Sequence, residues 1–129
     1  MRLLVHTAGL ACIALLCATP AAAQTQAQMN ASAGTDYRRA DAAMTAQWKA
    51  TYAYMKREDA QNTVGTRSPG YAAATLASQR AWLAFRDAQC AIETKEVEGG
   101  SMAPMVRAGC LTRLTKERTK QLKDLMWRR

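Results

Sequence analysis

The chain has 129 residues, with 18 Lys and Arg against 10 Asp and Glu, giving a net charge of +8. That length holds one domain with a modest core. Its single histidine, His6, lies in an apolar leader, so the remainder offers no imidazole for a catalytic triad or a His-ligated metal.

Residues 1–23 read as a secretory signal peptide. Arg2 is the charged start, residues 3–18 are apolar, and Pro20 with Ala21, Ala22 and Ala23 gives a small-residue cleavage pattern before Gln24. An uncleaved anchor is the alternative, since the apolar run is near the lower length for a span. Lipid attachment does not fit: Leu16 precedes Cys17 where a small residue is expected, and Cys12 lies too early. Cleavage removes Arg2, His6, Cys12 and Cys17. It leaves one basic domain over residues 24–129, periplasmic or secreted, with Cys90 and Cys110 as an even pair. Such a pair in an exported chain reads as a disulfide, and without a CxxC spacing it is a staple rather than a redox centre.

Residues 24–33 are polar and Ala-rich, either a lead-in or the first turns of a helix, and Gly34 weakens continuity there. The first helix is expected over residues 35–60, because Tyr37, Ala40, Met44, Trp48, Tyr52 and Met55 recur at spacings of three or four. Thr35 is its candidate cap, and Asp36 favours the positive end of the helix dipole. Residues 61–68 read as a loop. Ser68 and Pro69 resemble a cap followed by proline at the first helical position. A second helix is expected over residues 69–96, with Tyr71, Leu76, Trp82, Leu83, Phe85, Cys90 and Ile92 covering a wide apolar face.

Residues 97–101 read as a turn, with Gly99 and Gly100 suited to positive φ. Ser101 is a candidate cap, and Pro104 is tolerated in the first turn of a third helix reaching about residue 127. Met105, Val106, Cys110, Leu111, Leu114, Leu122, Leu125 and Met126 form its apolar side. Arg113 with Glu117, and Lys120 with Asp124, are i,i+4 pairs. No alternating strand pattern is present after the leader. The expectation is an all-α domain of three helices, the first packed on an antiparallel hairpin.

Cys90 and Cys110 each lie ten residues from Gly100. Residues equidistant from a hairpin turn sit at similar heights, so the two sulfurs meet if both face the partner helix. The bond needs Cα atoms about 4.4–6.8 Å apart. Closing that loop stabilises by about 3 kcal/mol in the chain-entropy picture.

The stretch QRAWLAFRDAQC carries a specific resemblance. Gln79, Arg80, Trp82, Arg86, Asp87 and Cys90, followed by Gly99, Gly100, Ser101, Pro104, Cys110, Thr115 and Arg118, resemble the LprI-like lysozyme-inhibitor family of small exported bacterial domains. Met29, Asn30, Tyr37, Ala40 and Asp41 match its first part. Ser32 stands where family members commonly carry a further cysteine, so no bridge forms from that position. The resemblance implies an exported helical domain and binding of a lysozyme-type protein.

Two surfaces are candidate sites. Glu93, Glu96 and Glu98 gather with Ser101 at the hairpin tip, and Arg113, Lys116, Lys120 and Lys123 make the third helix basic. The tip suits a cationic protein partner. The basic helix suits an anionic envelope polymer or membrane surface. The plainer reading of both is a solvated surface. Arg86 and Asp87 point about 100° apart on a helix, so each is expected to meet the first or third helix in a polar network. Arg80 and Asp87 lie seven apart on one face, and Trp82 and Phe85 are expected in the core. Nothing supplies a nucleophile with its base, a metal cluster or a phosphate loop. The reading is therefore a binding protein, not an enzyme, without cofactor. Nucleic acid is not an expected partner, since no motif reads it.

Overall fold

The computed structural model describes residues 21–62 and 70–126. Among them are three helices, α1 (Ala21–Gln61), α2 (Tyr71–Thr94) and α3 (Ala103–Asp124), with one 3-10 turn (Lys95–Val97) and no strand. The all-α hairpin architecture expected from the sequence is the one observed. The leader up to residue 20, the Ser68–Pro69 cap and Trp127 lie outside the described residues.

Cross-helix bonds give the directions. Asn30 Nδ2 donates to the Ser101 carbonyl, and Thr51 Oγ1 to the Leu122 carbonyl, so α1 runs parallel to α3. Met44 meets Gln79, and Asp59 meets the start of α2, so α1 and α2 are antiparallel. At 41 residues α1 is about 60 Å long, and it outruns the hairpin helices packed on it.

The helical stripe of α1 is buried as its periodicity predicts: Ala40, Met44 and Met55 are buried, joined by Thr51. Its start differs from expectation. The helix begins at Ala21 and continues through Gly34, and Thr35 donates its hydroxyl to the Ala31 carbonyl instead of capping. One interior glycine costs only about 1 kcal/mol, and the contact of Asn30 with the hairpin holds the early turns in place.

The hairpin closes through Gly99 at φ +79°, the sign that glycine adopts without strain. The Gly100 N–H donates to the Val97 carbonyl at 3.0 Å. Ser101 is not the cap of α3: the helix starts two residues later, with Met102 at the cap position and Pro104 in the first turn. Cys90 and Cys110 are bonded, with Cα atoms 5.6 Å apart. Together with Leu111 and Leu114 they form a buried cluster against which Tyr37 and Trp82 pack.

Two residues expected on the packing face of α2 are outside it. Phe85 is 53% exposed and Ile92 68% exposed. Both neighbours of α2 lie on one side of it, the side carrying Thr75, Gln79, Arg86 and Cys90. A wide apolar face therefore has more positions than its partners cover. No helix among the described residues is long and apolar enough to cross a membrane.

Candidate functional site

Behind the disulfide, the motif residues converge on a polar seam. Gln79 is buried on α2 and accepts a bond at 2.9 Å from Nε of Arg118, itself buried on α3. Arg118 also donates to Ser78 and Gln121. Two turns of α2 further along, Arg86 is buried with its Nη1 3.3 Å from Asp41 of α1 and its Nε 2.9 Å from Asp87. The indole of Trp82 lies between these cations, 5.3 Å from the Arg86 guanidinium and 5.8 Å from that of Arg118. Cation–π contacts of this kind let a half-buried ring replace part of the water the guanidinium has lost.

Arg86 meets the first helix as expected, but it also bonds its own neighbour. A 100° offset between adjacent residues is bridged here because a guanidinium on a three-methylene stem can fold sideways to an adjacent carboxylate. Arg80, two turns before Asp87 on the same face, is exposed and makes no hydrogen bond or ion pair with any described residue. Burial pushes the Tyr37 phenol above its ordinary value, partly offset by Arg86, and burial pulls Arg118 down. The buried hydroxyl of Thr115 has no hydrogen-bond partner among the described residues, and nothing in the structure explains it.

The tip is partly neutralised from within. Glu93 accepts from Arg113 at 2.8 Å and from Gln89 at 3.0 Å, which ties the end of α2 to α3. The Gln89 bond, then that of Arg113, holds the Glu93 carboxyl below its ordinary range. Glu98 pairs with Lys95 at 2.8 Å. Among the described residues Glu96 alone of the three has no ion pair, and it is exposed. The carbonyl of Ser101 is occupied by Asn30, so α1 backs the tip on one side.

The basic helix is similarly divided. Arg113 faces Glu93 and Glu117, and Lys120 pairs with Asp124. Lys116 and Lys123 are exposed without ion pairs among the described residues. Arg113 and Lys116 also rim an open groove of about 490 Å³ between α1 and α3, floored by Ala33, Gly109 and Thr112. The two candidate surfaces are therefore one electrostatic unit joined by the Glu93–Arg113 pair. No group of three or more metal-ligating side chains occurs among the described residues.

The sequence pattern did not reveal that Gln79 and Arg118 bond, or that Asn30 docks on the tip. A signal for Arg118 was present. It falls on the same helical stripe as Leu111, Leu114, Thr115 and Leu122, all of them buried.

Residues 17–122 match the family described as Lysozyme inhibitor LprI. The chain is also 39% identical over 125 residues to an uncharacterized protein of Rhizobium meliloti strain 1021, covering 87% of this chain and 88% of the relative. No solved structure matches.

Proposed function

The chain belongs to the LprI lysozyme-inhibitor family, and on that footing we propose that it is an exported protein that inhibits a lysozyme-type enzyme by non-covalent binding through the hairpin tip. The leader reading of residues 1–23 places its work in the periplasm or outside the cell. The family is one of inhibitors, in keeping with a binding role and no reaction of its own.

The observation that carries the tip is its combination of exposed acid and fixed backbone. Glu96 has no ion pair among the described residues and Glu98 is 66% exposed, on a turn held by the Cys90–Cys110 bond and by Asn30 from α1. A positively charged enzyme is repelled at long range by this chain, which keeps a net charge of +7 after Arg2 leaves with the leader. The tip is the clustered patch of opposite sign. Because the turn is already ordered, binding loses little conformational freedom there. Glu93, bonded to Arg113, serves to position the turn in this reading.

The alternative, an anionic envelope polymer or lipid headgroup on Arg113, Lys116, Lys120 and Lys123, draws no support from the geometry, since Arg113 and Lys120 already have carboxylate partners. The test is inhibition of a cationic lysozyme in a cell-wall lysis assay. Glu96→Lys with Glu98→Lys abolishes inhibition while circular dichroism is unchanged, and reduction of the disulfide weakens it. Full inhibition by the folded double variant overturns the tip as contact surface. Absence of inhibition by the wild-type protein overturns lysozyme as the target.

A further inference from the structure

The outer side of α2 has a pattern that the fold does not use. Ala74, Ala77, Ala81, Ala84, Ala88 and Ala91 are all exposed and alternate at spacings of three and four, the a/d seam of a coiled coil. Phe85 and Ile92, the two large exposed side chains of this helix, follow Ala84 and Ala91 along one edge of the seam. Arg80 and Asp87 precede Ala81 and Ala88 along the other edge. Arg80 has no hydrogen bond or ion pair among the described residues, and Asp87 uses only Oδ1 on Arg86.

We propose that this face pairs with the same face of a second copy, as an antiparallel, two-fold α2–α2 contact. One alignment satisfies every layer. With Ala81 opposite Ala84 of the partner subunit, Ala88 falls opposite Ala77 of the partner subunit, and Ala74 opposite Ala91 of the partner subunit. The same alignment sets Arg80 beside Asp87 of the partner subunit, and the two-fold axis repeats that ion pair. Phe85 then covers Ser78 of the partner subunit. Parallel pairing would instead set Arg80 beside Phe85 of the partner subunit and Asp87 beside Ile92 of the partner subunit, leaving both charges without a counter-ion, so charge selects the antiparallel arrangement.

Alanine seams let two helices approach to the short end of the 8–10 Å range of interaxial distances, which brings the flanking side chains into contact. The charge distribution also favours this face. The exposed charges of α2 are Arg80, Asp87 and Glu93, whereas α3 exposes Arg113, Lys116, Lys120 and Lys123. Two basic chains meeting through α2 keep their most basic helices apart. One helix pair of 24 residues is a small interface, so the dimer is reversible, with dissociation in about the micromolar range.

The contact is independent of lysozyme binding and is tested by sedimentation equilibrium on the purified protein. The wild-type chain forms a concentration-dependent dimer. Ala84→Glu abolishes it with helicity unchanged. Arg80→Asp, which removes no hydrogen bond or ion pair among the described residues, weakens it by roughly tenfold by placing like charges together twice. Asp87→Arg does the same, and the double variant restores the dimer. An equimolar mixture of the two single variants forms the heterodimer in preference to either homodimer. A monomer up to about 1 mM overturns the proposal, that concentration marking negligible affinity. So does a dimer indifferent to Ala84→Glu, or charge reversals that the double variant fails to repair. If the protein stays monomeric and Ala84→Glu removes lysozyme inhibition, the face belongs to the target enzyme and self-association is refuted.

Discussion

On its inner side α2 buries Thr75, Gln79 and Arg86 beside Cys90, while its outer side leaves Phe85, Ile92 and a line of alanines in solvent. Polarity alone would order these faces the other way. The inner side is tolerated because its polar atoms are met: Gln79 by Arg118, Arg86 by Asp41 and Asp87, and Thr75 by the Tyr71 carbonyl. A buried polar group with partners fixes which helix heights match, because a slip leaves donors unpaired. The outer side has no partner among the described residues. The comparison teaches that burial in this small domain follows the availability of a neighbour more than the polarity of the side chain.

Mutations that separate the two faces sharpen this contrast. The largest effect is expected from the inner face at its disulfide. Cys90→Ala with Cys110→Ala lowers unfolding free energy by about 3 kcal/mol, the chain-entropy value for a loop of this size, measured by urea titration. Next, Gln79→Ala strips the acceptor from Arg118 Nε and costs about 2 kcal/mol, the penalty for a buried donor left unpaired, read by the same titration. The smallest effect belongs to the outer face. Phe85→Ala with Ile92→Ala shifts the stability of dilute monomer by about 0.5 kcal/mol or less, as exposed substitutions do. A double variant that loses several kcal/mol as a monomer would break the comparison, since those side chains would then belong to the core.

Much of the fold was legible because helical period and a symmetric cysteine pair are local signals. The stripe from Tyr37 to Met55, the turn at Gly99 and the Cys90–Cys110 bond all follow from spacing along one or two helices. What was not legible depends on where the other helices lie. The apolar positions of α2 span more than one face, and no spacing rule says which part stays wet, so Phe85 and Ile92 were assigned inward. Gln79 and Arg118 are 39 residues apart, and although Arg118 falls on the buried stripe of α3, their bond is legible only once both helices are placed. The start of α1 was set too late because Gly34 and Thr35 are breakers only where no tertiary contact overrides them. At the tip, acid clustering was visible, but its pairing to Arg113 and Lys95 required the hairpin itself.

The entry to α2 holds one more constraint. Both oxygens of Asp59 are engaged there, one accepting from the Tyr71 N–H at 2.7 Å and the other from the Ala72 N–H at 2.9 Å. The backbone of Gly70 is ordinary, with φ −68° and ψ 172°, so its angles alone would admit alanine. Yet a β-carbon at Gly70 would stand 2.9 Å from both carboxylate oxygens. The methyl group therefore has no room while the carboxylate is in place. Where Asp59 has been replaced by alanine that obstruction is gone, and the Gly70→Ala change costs only the preference of a helix cap for glycine over alanine, less the gain from a stiffer unfolded chain. A double-mutant cycle on thermal unfolding then shows strong coupling: the harm done by one substitution is set by a single residue on the preceding helix, a dependence that would steer the order in which the two positions can change during evolution.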